Sequence, residues 1–213
     1  MILDADRRLA LAYVPAASRP ALAALWRLDV TLGAVLAGRR DRQIGRIRLA
    51  WWREALARLD REPAPPEPVL RGIAAYALPA AELAGMTDGW EVLLAEGPPS
   101  AAALEAYAAA RGGALFRHSA RLLGGPDFPV EGAGRLWALA DLARRSADPG
   151  EARAALAAAS RHVEDSKWPR PLRPLGMLAA LARRDLARGP DRRERPGAPA
   201  RMIRMLRHRL TGN

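Results

Sequence analysis

Residues 22–59 read LAALWRLDVTLGAVLAGRRDRQIGRIRLAWWREALARL, two helical stripes joined by a short charged break. In the first half Leu22, Leu25, Leu32 and Leu36 keep helical spacing and form one apolar face. Asp29 lies on that face, four residues after Leu25 and three before Leu32. A carboxylate turned into a core has to be paired, hydrated in a cavity or protonated. In the second half Ile44, Ile47, Trp51 and Arg58 share one side of a helix, and Arg48, Trp52, Ala55 and Leu59 share the adjoining side. Arg48 is therefore the cation expected to meet Asp29, as a buried ion pair between two core helices.

The same reading extends in both directions. The 213 residues include 47 Ala, 31 Leu and 33 Arg, all strong helix formers. Proline and glycine clusters punctuate the chain. Helices are predicted near 4–13, 19–37, 41–61, 67–77, 79–96, 101–123, 131–146, 150–164, 172–188 and 199–210. Ser18 precedes Arg19-Pro20, Ser100 can cap the Ala-rich helix, and Asp148-Pro149-Gly150-Glu151 has capping-box spacing. Gly124-Gly125-Pro126 ends a helix. No strand alternation is found, so the class is all-α, a single domain with eight to ten helices. Arg61 to Pro68 reads as a stiff linker within it. Gly189 to Pro199 reads as a mobile polar loop leading into a basic C-terminal arm, about 189–213.

Composition removes several functions. There is no Cys, hence no disulfide scaffold, thiolate metal site or cysteine nucleophile. Apolar runs are too short for a membrane span, and the first residues lack a secretory h-region, so a cytoplasmic location is expected. The formal net charge of +11 invites a nucleic-acid partner. Residues 164–213 carry +8 of it and residues 1–163 only +3. With one Lys, Lys167, among so many Arg, arginine serves as the generic solubilising cation. His118, His162 and His208 are too far apart for a zinc site.

The piece Gly45 to Leu56, GRIRLAWWREAL, closely resembles a hallmark of the squalene/phytoene synthase family. Leu25 to Val35 is similar to that family's first inner helix. Leu104-Glu105-Ala106-Tyr107, Arg111-Gly112-Gly113-Ala114-Leu115 and Leu122-Leu123-Gly124 resemble its middle helix. Gly134 to Arg145 stands where its second aspartate helix would be, and Pro199 to Leu210 resembles its basic last helix. The resemblance implies an isoprenoid-synthase-like helical domain around a central cavity, here shortened. In active members two prenyl diphosphates are joined head to head, and paired aspartates on two helices hold Mg²⁺. Two Asp at i and i+4 converge on one helix face, hard oxygen ligands suit Mg²⁺, and the metal stabilises the departing diphosphate.

No Asp-x-x-x-Asp occurs in this sequence. Asp29 is followed four residues later by Gly33, and Asp141 by Arg145. Asp127 and Glu131 have the spacing but flank Pro129, and Asp88 with Glu91 reads as a helix-start feature. The segment after Arg145 lacks the Arg-Gly-Arg-x-Tyr-like stretch of active members. In these departures the chain resembles a degenerate branch of the family that includes a mitochondrial assembly factor for respiratory complex I, associated with the inner membrane.

The resulting expectation is a catalytically degenerate member acting as an assembly or interaction factor, without a cofactor. Its partner would be a protein or an isoprenoid or lipid ligand. The alternatives are a divergent Mg²⁺-dependent prenyl transferase and a basic binder of nucleic acid or anionic lipid, with nucleic acid the weaker of those two. The remnant pocket is expected to involve Asp29, Arg48, Trp51, Trp52, Tyr107, Arg111, Asp141, Arg144 and Arg145. Gly112-Gly113 falls mid-helix and is expected to serve close helix packing. The last helix, with Arg201, Arg204, Arg207 and Arg209 among apolar residues, has a pattern that suits an anionic membrane surface, so a position peripheral to the inner membrane is the alternative location.

Overall fold

The two stripes of residues 22–59 become α2 (Arg19–Val35) and α3 (Arg42–Arg58). A computed structural model describes residues 2–36 and 42–213; the expected helix ends at 37 and 41 lie outside them. Ahead of α2 lies α1 (Ala5–Ala12), capped by the Asp4 carboxylate, which accepts from the Arg7 backbone N–H. After α3 come α4 (Pro68–Ala75), α5 (Ala80–Ala84), α6 (Met86–Glu91), α7 (Ala101–Tyr107), α8 (Ala114–Leu123), α9 (Val130–Arg145), α10 (Pro149–Ala159), α11 (Arg173–Arg188) and α12 (Pro199–Thr211). Among the described residues there is no strand, and no helix is long and apolar enough to cross a membrane.

The expected inner face of α2 is the buried one. Leu22, Leu25, Leu32 and Asp29 are wholly excluded from solvent, and Leu36 nearly so. Trp26 Nε1 donates to Ser119 Oγ at 3.1 Å and ties α2 to α8.

The single helix expected over 79–96 is instead α5, α6 and a 3₁₀ turn, Val92–Leu94. Gly85 stands at the α5–α6 junction. The Arg53 guanidinium of α3 then gathers Thr87 (3.1 Å), Asp88 (2.6 Å) and Glu91 of α6. Asp88 and Glu91 are thus a docking clamp for α3, beyond a helix-start feature. The helix expected over 101–123 is continuous, with a π-helical turn, Ala108–Gly113, inserted between α7 and α8. Such a turn adds a residue without breaking the helix and re-aims the side chains that follow.

Helix α9 is the central element, packed against the π turn, α8, α10 and α11. Its approach to the π turn is backbone on backbone. A Cβ on Gly112 would lie 2.1 Å from the Gly134 carbonyl oxygen, and one on Gly134 would lie 2.2 Å from the Gly112 carbonyl oxygen. Of Gly112-Gly113, expected to serve close packing, Gly112 does so, whereas a Cβ on Gly113 would meet nothing nearer than 3.8 Å.

Capping follows the sequence in part. Ser100 Oγ accepts from Ala103 N at 3.1 Å and Asp148 Oδ1 from Glu151 N at 2.7 Å. The Glu151 carboxylate accepts from Ser146 Oγ instead of closing a reciprocal box. The segment expected as a mobile loop, Gly189 to Pro199, is held at several points. Glu194 takes a two-pronged bond from Arg184 at 2.9 Å on each side, Arg193 Nη1 donates to the Ser146 carbonyl at 2.6 Å, and Gly197 N donates to Asp6 Oδ1 at 2.8 Å.

His118 of α8 and His208 of α12 are buried without hydrogen-bond partners for either ring nitrogen among the described residues. Burial lowers both to about 4. Arg117 and Arg121 add to the effect at His118 against Glu82 and Glu131, and Arg204, Arg183 and Arg173 add to it at His208 against a main-chain contact with Asn213. Both rings are neutral in the folded chain, whereas the unfolded chain takes up protons below about 6.5. Stability is therefore expected to be full above pH 6.5 and to fall as pH drops toward 4, with a slope of up to about 1.4 kcal/mol per pH unit for each ring. Urea melts across that range measure it, and His118→Phe should flatten the slope.

Candidate functional site

At the centre of the helices lies an alternating array of carboxylates and guanidinium groups. The inward face of α2 supplies Asp29, the π turn supplies Arg111, the last turns of α9 supply Asp141, Arg144 and Arg145, and α1 supplies Arg7. Arg111 Nε donates to Asp29 Oδ1 at 2.7 Å and its Nη2 to Asp29 Oδ2 at 3.0 Å. The same Nη2 also donates to Asp141 Oδ2 at 2.7 Å. Arg7 Nη2 reaches Asp29 Oδ2 at 2.8 Å, and Arg7 also pairs with Asp4. Asp141 Oδ1 accepts from Arg144 Nη2 at 2.9 Å and from Arg145 Nε at 3.0 Å. Every oxygen of both aspartates is engaged by arginine.

Aromatic rings close the rest of the space. The Arg111 guanidinium lies between the indoles of Trp90, 4.3 Å from its centroid, and Trp137, at 4.7 Å. Arg7 lies over the Trp137 ring at 4.9 Å. Tyr107 Oη accepts from Arg111 Nη1, and the Tyr107 ring meets Trp90 edge-on at 5.4 Å. Stacking on a π face suits a planar cation that has shed its water.

The electrostatics follow from this geometry. Burial alone would push Asp29 and Asp141 up. Arg111 and Arg7 outweigh it at Asp29, and Arg111, Arg145, Arg7 and Arg144 outweigh it at Asp141, so both carboxyls titrate below the usual range, Asp141 well below. Burial acts to lower Arg111, but Asp29, Tyr107 and Asp141 hold it fully protonated. Burial pushes the Tyr107 phenol far up, so it stays neutral.

Divalent metal does not fit this site. Magnesium needs carboxylate oxygens with free lone pairs and room for several waters. Here each oxygen already accepts from arginine within a ring of four guanidinium groups that repel a divalent cation, and among the described residues no group of three or more potential metal-ligating side chains converges. The positions four residues on are also occupied in another sense. A Cβ on Gly33 would lie 2.9 Å from Trp90 Cη2, so the indole fills the space a second carboxylate on α2 would need. Arg145 stands at the equivalent position on α9 and binds Asp141. The gap left beside Arg7, Trp137 and Asp141 is about 20 Å³, an order of magnitude below the roughly 300 Å³ at which ligand pockets begin. The central cavity implied by the sequence resemblance is filled by this chain's own side chains.

Of the residues expected at the pocket, Asp29, Tyr107, Arg111, Asp141, Arg144 and Arg145 come together. Arg48 does not. It is exposed on α3, and Asp29 is met by Arg7 and Arg111 instead. Trp51 also lies outside, 46% exposed on the outer side of α3, while Trp52 is buried and meets it edge-on at 5.2 Å. Arg201, expected at an anionic surface, is buried and pairs with Asp6 at 2.9 Å and with Asp185. Arg7, Trp90 and Trp137 were not anticipated. The signal available for Trp90 was Gly33, a residue without a side chain where paired chemistry would require one.

The family model described as squalene/phytoene synthase matches residues 4–211. No curated protein and no solved structure matches the chain.

Proposed function

The chain belongs to the squalene/phytoene synthase family, and from that premise we propose that it is a member without synthase chemistry, acting as an assembly or interaction factor. One observation carries this reading: the oxygens of Asp29 and Asp141 are committed to Arg7, Arg111, Arg144 and Arg145. A prenyl transferase must bring cations to a diphosphate and keep carboxylates open for the metals that bridge it. Here the cations and carboxylates neutralise one another, and Trp90, Trp137 and Tyr107 occupy the apolar space. On this reading the centre serves as a structural core, and function falls to the surface of the helical body.

Calorimetric titration with Mg²⁺ and an unreactive farnesyl thiodiphosphate tests the reading. No Mg²⁺-dependent binding heat is expected. Saturable binding that requires Mg²⁺ and is lost in Asp29→Asn would overturn it. A second test rebuilds the missing spacing. Gly33→Asp with Arg145→Asp restores a four-residue carboxylate pair on α2 and on α9. Because Trp90 occupies the Gly33 side, this double variant is expected to lose about 1–3 kcal/mol by overpacking alone and to gain no metal binding.

A further inference from the structure

Helix α12 packs one side of itself onto the body and leaves the opposite side open. Arg201, Met205 and His208 are buried. Arg173 donates to the carbonyls of Arg209 at 3.0 Å and Leu210 at 2.8 Å and fixes the helix end. At 3.6 residues per turn, Met202, Ile203, Leu206 and Leu210 fall within an arc of about 100° on the outer side. Their exposures are 38, 67, 38 and 79%. None of them is needed for the core, and single exposed apolar residues would require no account. Four contiguous on one helix, continued by the exposed Tyr13 ring under Arg209 at 5.4 Å, form a face.

The flanks of that face are basic on both sides. Arg209 borders it on the α1 side, and Arg207 and Arg204 border it on the other. Residues 199–213 contain no Asp or Glu. Among the described residues no Asp or Glu side chain pairs with Arg204, Arg207 or Arg209; Arg204 donates to a main-chain oxygen of Asn213 at 3.2 Å. Burial and, after it, the nearby guanidinium groups of Arg183, Arg207 and Arg184 lower the Arg204 pKa. The outer side of α3 differs. Ile44, Ile47 and Trp51 are exposed there too, and there Glu54 and Arg58 pair beside them.

We propose that the outer face of α12 docks this protein onto an anionic phospholipid surface, with Met202, Ile203, Leu206 and Leu210 in the headgroup boundary and Arg204, Arg207 and Arg209 against lipid phosphates. A helix lying in the interface needs an apolar strip with cations along both edges, and each arginine near an anionic bilayer adds affinity that salt screens. The proposal is independent of the closed reaction centre, since α12 contributes no residue to the Asp29–Arg111–Asp141 array.

The test is co-sedimentation of the full chain with phosphatidylcholine vesicles, with and without a one-third share of phosphatidylglycerol, at low and high salt. Binding is expected only with phosphatidylglycerol and is expected to weaken with salt. Arg204→Ser with Arg207→Ser should weaken it about 30-fold, and Ile203→Ser with Leu206→Ser about tenfold or more. Ile47→Ser on α3 should leave it unchanged. Ile47, Ile203, Leu206 and Arg207 are exposed and Arg204 is half-buried, and thermal melts confirm that each variant folds. Equal binding to neutral vesicles, undiminished binding by both double variants, or retention on DNA without vesicle binding would overturn the proposal. None of these outcomes would alter the reading of the filled centre, which stands on metal and diphosphate binding.

Discussion

Arg111→Met is expected to lower the unfolding free energy by about 3–5 kcal/mol, seen as a lower urea midpoint at pH 7. Arg111 holds two buried carboxylates, Asp29 and Asp141, and lies between two indoles. Methionine keeps much of the volume but leaves both carboxylates short of a cation in a medium that hydrates them poorly. Arg7 still reaches Asp29, and Arg144 and Arg145 still reach Asp141, so the centre is weakened without being emptied of positive charge. The loss should be partly recovered when Asp29→Asn is added, because one of the stranded charges is then removed while Arg7 keeps Asp4. A coupling of about 1–3 kcal/mol between the two substitutions is expected. The acid limb moves as well. Depressed carboxyls contribute stability that is present above the ordinary range near pH 4 and is lost as pH falls through their folded values. Without Arg111 those folded values rise, so acid unfolding should begin at higher pH in the variant than in the wild type.

Gly112→Ala and Gly134→Ala should each cost about 3 kcal/mol or more. In both cases the new methyl group meets a backbone carbonyl oxygen at 2.1–2.2 Å, and no rotamer change relieves a clash with backbone. Helix α9 would have to withdraw from the π turn, which also pulls Asp141 away from Arg111. Gly113 provides the internal control. The nearest atoms to a Cβ there are 3.8 Å away, so Gly113→Ala should be neutral or should stabilise by up to about 1 kcal/mol through helix propensity. Thermal melts of these variants separate close packing from any general need for glycine in this segment.

Much of this arrangement was legible in the chain. The stripe Leu22, Leu25, Leu32, Leu36 placed Asp29 inward correctly, because helical periodicity fixes which face a residue occupies. It does not fix which helix lies opposite, and that is why Arg48 was expected to meet Asp29. The true partners, Arg111 and Arg7, stand 82 and 22 residues away on other elements. The π turn escaped notice for a related reason. Its residues read as ordinary helix, and only the crossing at Gly134 determines how the Arg111 side chain is aimed. All four arginines of α12 are expected at the surface from the sequence, and the structure buries Arg201; the division was available, because Arg201, Met205 and His208 keep the spacing of one face, and that face is the buried one. Gly85 within 79–96 likewise marked a break that the apolar spacing obscured.

The central claim is that the carboxylates on which this family's chemistry would depend have become half of a structural ion-pair core. Release of inorganic pyrophosphate from farnesyl or geranylgeranyl diphosphate, followed with purified protein at saturating Mg²⁺, tests it most directly. The account predicts no release above the protein-free rate. Mg²⁺-dependent release that yields squalene or phytoene and disappears in Asp29→Asn would contradict it.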